Sequence, residues 1–344
     1  MANRELSERE RKVLEAVIES YVQTAEPAGS RTIARRFPLG VSAATIRNTM
    51  SDLEERGYLY HHHTSAGRVP TDRAYRVYVD NLVPTRPHPQ DEQHLHNELR
   101  SENTPIEGIL QKAAQVLGVL TQELGLAVGP SLDHAILERL ELIQVSSERL
   151  LLVLALSGGL ARTIFVEVSS ALPREAVTSV GVVLNERLRG LSLREIRTTL
   201  RERLRDTRPE SGDVELLNIF IEEADQLFDL PAAEGGAVML GSAQLLAEQP
   251  EFSSNEQMRT LLDLTERRDL LRSALKARQG PGLTVSIGGE NLDPRLSAFT
   301  IITSSYRNGH VSGVIGVMGP TRMPYQKIVA LVEHTSQLMG DLLG

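Results

Sequence analysis

Residues 29–73 constrain this chain more tightly than any other stretch, because they pair two short helices with a hairpin. Residues 30–37 predict a short helix with Ile33, Ala34 and Phe37 inward, and Pro38 and Gly40 supply the turn after it. Ser42 is a good N-cap for the next helix, because its hydroxyl can accept from an otherwise orphan backbone amide. Ile46, Met50 and Leu53 recur at i, i+4 and i+7 and define a buried stripe. Ala44, Arg47, Asn48 and Ser51 then line the opposite face. Gly57 provides the stop. Residues 58–62 and 68–70 predict two strands joined by a turn at 64–67. A short helix, a turn, a second helix and a basic hairpin form the layout of a winged helix-turn-helix. That layout puts one helix in the major groove of DNA and a wing along the backbone.

Local signals extend this reading along the chain. Ser7 with Glu10 predicts a capping box, followed by Val13, Leu14, Val17, Ile18 and Tyr21 at helical spacing. Thr71 caps a fourth helix with Tyr75, Tyr78, Val79 and Leu82 on one side. Residues 84–105 hold Pro84, Pro87, Pro89 and Pro105 among polar residues and read as a linker. A helix is expected at roughly 106–124, then strands at 136–145, 149–156 and 162–169. The last alternates, with Ile164, Val166 and Val168 on one face. Helices follow at about 172–189, 192–206 and 212–228, a short strand at 237–240, and a long helix at roughly 254–277. Strands at 283–287, 298–304 and 311–318 precede a final helix at about 324–342. Strands before and after a helical block predict an α+β domain interrupted by an insertion.

A length of 344 residues predicts two or three domains. The net charge is −8, yet residues 1–84 hold 12 Lys+Arg against 11 Asp+Glu. Binding to a polyanion would therefore rest on local placement of arginine and not on an overall field. The absence of cysteine excludes disulfides, thiolate catalysis and Cys-ligated zinc. The N-terminus lacks an apolar signal core, and the longest apolar run, 150–156, is too short for a bilayer. A soluble, cytoplasmic chain with no membrane contact is expected.

On the second helix of the pair, Arg47 could reach a guanine edge or a phosphate, and Asn48 an adenine edge. Ser42 and Thr45 lie at its N-terminal end, which normally sits deepest in the groove. The competing reading is an amphipathic helix whose outer face is merely solvated. In the hairpin, Thr64, Ser65 and Arg68 offer donors that position a protein on phosphate without reading sequence; an ordinary polar turn is the bland alternative. The histidines at 61–63 do not make a metal site, since neighbours on a strand point to opposite faces and only His61 and His63 share one. They read as a solvated face, or as weak phosphate contacts when protonated. Gly288-Gly-Glu290 resembles a nucleotide-cyclase turn only weakly and reads better as a turn fixed by Glu290 and Asn291. Leu261, Leu264, Leu271 and Leu275 form a stripe typical of core or subunit interface. No catalytic triad, metalloprotease motif or phosphate loop is present, so neither an enzyme, a cofactor nor a metal is expected.

Four segments carry a family resemblance: Glu26-Pro-Ala-Gly-Ser-Arg31, Ser42-Ala-Ala-Thr-Ile-Arg-Asn48, Asp52-Leu-Glu-Glu-Arg-Gly-Tyr-Leu59 and His63-Thr-Ser-Ala-Gly-Arg-Val-Pro-Thr71. With Ala74-Tyr-Arg-Val-Tyr-Val-Asp80, Ile287-Gly-Gly-Glu-Asn291, residues 313–320 and Arg322-Met-Pro-Tyr325, they closely resemble the HrcA family of bacterial heat-inducible transcription repressors. The match is dense over 26–80 and sparse over 84–260. One departure is the triple histidine, where the family is more varied and often carries Gln-Pro before the shared His; it bears on the wing's outer contacts.

The resemblance implies a winged-helix domain over 1–83, a linker over 84–105, and a GAF-like domain in two parts, 106–170 and 253–344. Between those parts, 171–252 would be an inserted dimerisation domain. It also implies a homodimer that represses chaperone operons through an inverted-repeat operator known as CIRCE, with the GroEL chaperonin as modulator. The residues expected on double-stranded DNA are Ser30, Arg31, Ser42, Ala44, Thr45, Arg47, Asn48, Ser51, His63, Thr64, Ser65 and Arg68. The alternative is a one-component transcription factor whose GAF-like domain binds a small effector, which would require a pocket with converging polar groups.

Overall fold

The structure is a computed structural model that describes residues 6–61, 67–100, 106–129, 132–157, 160–168, 172–205, 213–222, 238–276, 278, 280, 282–308 and 311–342. It is a mixed helix and sheet architecture. The chain opens with α1 (Glu8–Thr24), α2 (Ser30–Arg36) and α3 (Ala43–Glu55). A two-stranded antiparallel sheet follows, β1 (Leu59–His61) with β2 (Arg68–Pro70), and then α4 (Asp72–Asp80). The expected caps are present. Ser7 Oγ accepts from the Glu10 amide while Glu10 Oε2 accepts from the Ser7 amide at 2.7 Å. Ser42 Oγ accepts from the Thr45 amide at 3.1 Å. Ile46 and Leu53 are fully buried with Leu14, Ile18 and Ile33, each such burial being worth roughly 1.5–3 kcal/mol.

Gly67 has a reason that the sequence does not reveal. It is buried, and a Cβ there would lie 2.4 Å from the Pro27 carbonyl oxygen. The second strand presses its backbone against the α1–α2 connection, where Ala28 and Arg68 exchange backbone hydrogen bonds of 2.9 and 3.0 Å.

The stretch expected as a linker contains a helix, α5 (Pro89–Leu99), with Leu95 and Leu99 buried. Its signals are local: His88 as N-cap, proline in the first turn, Asp91 and Glu92 near the positive end of the dipole, and leucines at i and i+4. The prolines mark its start. The next helix, α6 (Ile106–Thr121), stops at Gln122, which adopts φ 60°. Residues 124–128 then form an unforeseen strand, β3 (Leu124–Val128), buried at every position. A strand covered on both faces lacks alternation, so its apolar run carries no period-two signal.

β4 (Leu137–Gln144), β5 (Arg149–Leu156) and β6 (Leu160–Glu167) are the three strands expected in that region. They form a separate antiparallel sheet in the order β4-β5-β6, not a continuation of the C-terminal strands. α7 (Arg174–Leu188), α8 (Leu193–Leu204) and α9 (Asp213–Glu222) share one apolar core with that sheet's inner face. Asn185 on α7 ties the two layers by accepting from the Leu140 amide at 2.8 Å.

The chain then returns through β7 (Val238–Leu240) and the short α10 (Gln244–Ala247). The single helix expected at 254–277 is two, α11 (Asn255–Glu266) and α12 (Arg268–Lys276), because Arg267 leaves the helical region with ψ 67°. β8 (Leu283–Ile287), β9 (Phe299–Asn308), β10 (Val311–Pro320) and α13 (Tyr325–Leu342) complete the chain. A five-stranded antiparallel sheet runs β7-β3-β10-β9-β8. Alternation on β10 sends Ile315 and Val317 toward the core shared with α6 and α13, and Val314 and Met318 toward the core shared with α11 and α12. The leucine stripe at 261, 264, 271 and 275 is core of that second layer.

Beside this sheet Glu123 is only 2% exposed and accepts from Gln249 Nε2 at 2.9 Å. Burial drives its carboxyl well above the usual range, against the opposing pull of the Gln249 donor and Arg322. A folded-state pKa above the unfolded one means the folded chain holds a proton that the unfolded chain releases. Stability should therefore fall as pH rises from about 4.5 toward neutrality. Glu123→Gln should flatten that fall and be the more stable protein at pH 8. Urea unfolding of both proteins at pH 5 and pH 8 measures this. Equal losses of stability between the two pH values would contradict it.

Candidate nucleic-acid interface

The outer face of α3 lies as the spacing required. Ala44, Arg47, Asn48 and Ser51 are exposed while Ile46, Thr49, Met50 and Leu53 are buried. Among the described residues, no ion pair engages Arg47. Ser42 and Thr45 are less available than their position implies. Their hydroxyls lie 3.0 Å apart, and Ser42 is already committed to the cap.

α2 brings a second set of donors alongside. Gly29 is its N-cap without a side-chain bond, and Ser30 and Arg31 occupy its first turn. Gly29, Ser30, Arg31, Arg47, Met50, His61 and Arg68 together line an open cleft of about 580 Å³. Residues from α2, α3 and both strands of the hairpin thus meet on one surface carrying three guanidinium groups. Such a surface can hold an anionic backbone with its arginines and present α3 to a groove.

Arg68, expected as a donor to phosphate, also has partners within the protein. Its Nε pairs with Glu54 Oε2 at 2.7 Å, and its Nη1 donates to His61 Nδ1. Its side chain is 20% exposed. Glu54 is the penultimate residue of α3, so the pair braces the hairpin against the end of that helix. Arg73 covers the Tyr58 ring at 4.5 Å and holds the base of the same hairpin. His62, His63, Thr64, Ser65 and Ala66 lie outside the described residues, and with them three of the expected DNA contacts.

Two other expectations concern non-DNA sites. No group of three or more histidine, aspartate or glutamate residues among the described ones is placed to hold a metal ion. A cleft of about 790 Å³ lies between α1, α4, residues 85–91 and the start of α13, lined by Glu19, Tyr78, Arg86, Asp91 and Lys327 among others. It sits beside the five-stranded sheet and not within it. No helix of the described residues is long and apolar enough to cross a membrane.

Comparison with known proteins bears on the whole chain. A family profile described as the HrcA protein C terminal domain matches residues 107–329. A heat-inducible transcription repressor HrcA from Chlorobium phaeobacteroides (strain BS1) is 39% identical, with 99% of each chain covered. One from Chlorobaculum tepidum is 37% identical over 100% of this chain and 99% of its own. A crystal structure described as that of a hypothetical protein aligns over 98% of this chain and 99% of its own. Its TM-score is 0.59 and its identity 23%, a likeness of fold. Close identity from end to end, with the profile match over the C-terminal two-thirds, places this chain in the HrcA family of heat-inducible transcription repressors.

Proposed function

We propose that the chain represses heat-shock chaperone operons as a homodimer bound to an inverted-repeat operator of the CIRCE type. The mechanism is binding without catalysis. The first 83 residues act as a winged helix-turn-helix, with α3 in the major groove and the β1–β2 hairpin along the backbone. The observation that carries this reading is the cleft shared by Ser30, Arg31, Arg47 and Arg68 beside the unobstructed outer face of α3. In it Arg47 and Asn48 read bases, Ser30 and Arg31 hold phosphate through the start of α2, and Arg68 braces the hairpin through Glu54.

The body divides into a GAF-like unit, 106–129 with 238–342, and an inserted unit over 132–222. These limits differ from the expected 106–170, 171–252 and 253–344, and the apolar core that β4–β6 share with α7–α9 supports them. The inserted unit joins the two copies through the outer face of its sheet. Across that face Ile143, Leu151 and Phe165 stand in one cross-strand row. Phe165 is 62% exposed, Val145 56% and Ile143 46%. The Arg149–Glu167 and Arg139–Glu141 pairs at its margins offer both signs of charge, which suits a patch meeting its own copy across a two-fold axis.

GroEL would act on the fraction of folded, DNA-competent dimer, because anything that binds one state preferentially shifts the population. The test is to refold the chain with and without GroEL and footprint it on inverted-repeat and scrambled DNA. Protection of the repeat alone, deeper with GroEL, is the expected result. No protection would overturn the operator assignment, and equal depth with and without chaperonin would remove GroEL.

A further inference from the structure

The motifs at 287–291 and 322–325 contribute nothing to the DNA-reading face. Both lie where α1 and α4 meet the five-stranded sheet. On one side Arg76 of α4 makes a forked pair with Glu290. Its Nε donates to Oε1 at 2.8 Å and its Nη2 to Oε2, and Nη2 also donates to the Val285 carbonyl at 2.6 Å. Burial alone would raise the Glu290 carboxyl, but the Arg76 guanidinium and the Ile287 amide outweigh it and hold the group below the usual carboxylate range. The Gly289 amide donates to Asp72 Oδ2 at 3.0 Å. Gly288 adopts φ +52°, and a Cβ there would lie 2.0 Å from the same carboxylate oxygen, so the turn is shaped to seat the first turn of α4.

On the other side a second fork lies within the body and reaches α1 through one further bond. Arg322 pairs with Glu251 through Nε and Nη2, the second at 2.9 Å, and its Nη1 donates to the Val22 carbonyl of α1 at 2.9 Å. Its side chain is 14% exposed. Between the forks the rings of Tyr75 and Tyr325 meet at 5.5 Å. Planar, two-point arginine contacts fix orientation as well as distance. The Arg76–Glu290 fork, the single Arg322 bond to Val22 and the ring pair between them leave α1 and α4 little freedom to rotate on the sheet. Because α3 shares its core with α1 and α4, its direction relative to the body is set by the same contacts.

We propose that the Arg76–Glu290 fork, with the Arg322 bond to Val22, determines which half-site spacing the dimer accepts. These are positioning residues that touch no DNA. They hold the two reading helices at one angle and separation, so that only an inverted repeat of matching spacer engages both. This rests on the operator reading above. One added base pair shifts a half-site by about 3.4 Å and turns it by roughly a tenth of a helical turn. A rigid arrangement cannot follow that displacement, and a loosened one can.

The test compares the full chain with Arg76→Gln and with the charge-exchanged R76E/E290R protein. Each is titrated against the native operator, operators with spacers one base pair shorter or longer, and a single half-site. Wild type should lose roughly tenfold or more with each altered spacer. Arg76→Gln should bind the native operator more weakly, show a spacer penalty of no more than about threefold, and match wild type on the half-site. The exchanged pair should restore spacer discrimination. Arg76→Gln with the wild-type spacer penalty would overturn the proposal, as would a uniform loss on every DNA including the half-site. Wild type that binds no inverted repeat would sink the operator reading itself, a result distinct from either.

Discussion

Phe165→Asp should dissociate the proposed dimer and weaken binding to a two-half-site operator by roughly 10²–10⁴-fold, while leaving single half-site binding unchanged. The size follows from tethering, because linking two reading heads makes the second contact intramolecular at an effective concentration far above that of free protein. Phe165 is 62% exposed at the β6 end of the Ile143–Leu151–Phe165 row, on the face of β6 that points away from the helices of its own unit. An aspartate there is solvated in the monomer, and surface changes of this kind alter folding by about 0.5 kcal/mol or less. In the dimer it would place two unpaired carboxylates in an apolar contact. Sedimentation of the variant reports the assembly and urea unfolding reports the fold. A variant that remains dimeric and binds like wild type would remove this face from the interface.

Arg47→Ala should lower operator affinity by about 1–3 kcal/mol, or roughly 5- to 150-fold, if its guanidinium pairs with a guanine edge. Arg47 is the cleaner probe of the interface because it is exposed and, among the described residues, has no ion pair to lose. Arg68 is a poor probe, since its removal also strands Glu54 and frees the hairpin from α3. Titration on operator and scrambled DNA at several salt concentrations separates the roles. A loss confined to operator means base reading. An equal loss on both, with the slope of log affinity against log salt reduced by about 0.9, moves Arg47 to phosphate contact. Unchanged affinity on both would end the assignment of α3 as the reading helix.

The outward face of α3 was legible because helical periodicity and an N-cap are local. The spacing of Ile46, Met50 and Leu53 settles which way Arg47 and Asn48 point before any tertiary contact is known. The commitment of Arg68 to Glu54 was not legible. Nothing in a hairpin's own residues says that an arginine there will be drawn to a helix carboxylate 14 residues earlier. α5 was written in its cap and paired leucines but masked by the prolines around it, and β3 was masked by being apolar throughout.

By itself the sequence determined the kind and limits of most elements, the buried side of each helix, and the reading stripe on α3. These depend on residues a few positions apart. Only the tertiary structure decided how the strands are shared out. β4, β5 and β6 alternate as β9 and β10 do, yet they close a sheet of their own, because alternation specifies which face is buried and not which strand lies alongside. Only the tertiary structure, likewise, joined Arg76 to Glu290 across 214 residues and Arg322 to Glu251 across 71. A charged side chain finds its partner through the packing of the elements that carry it, and that packing is a property of the whole chain.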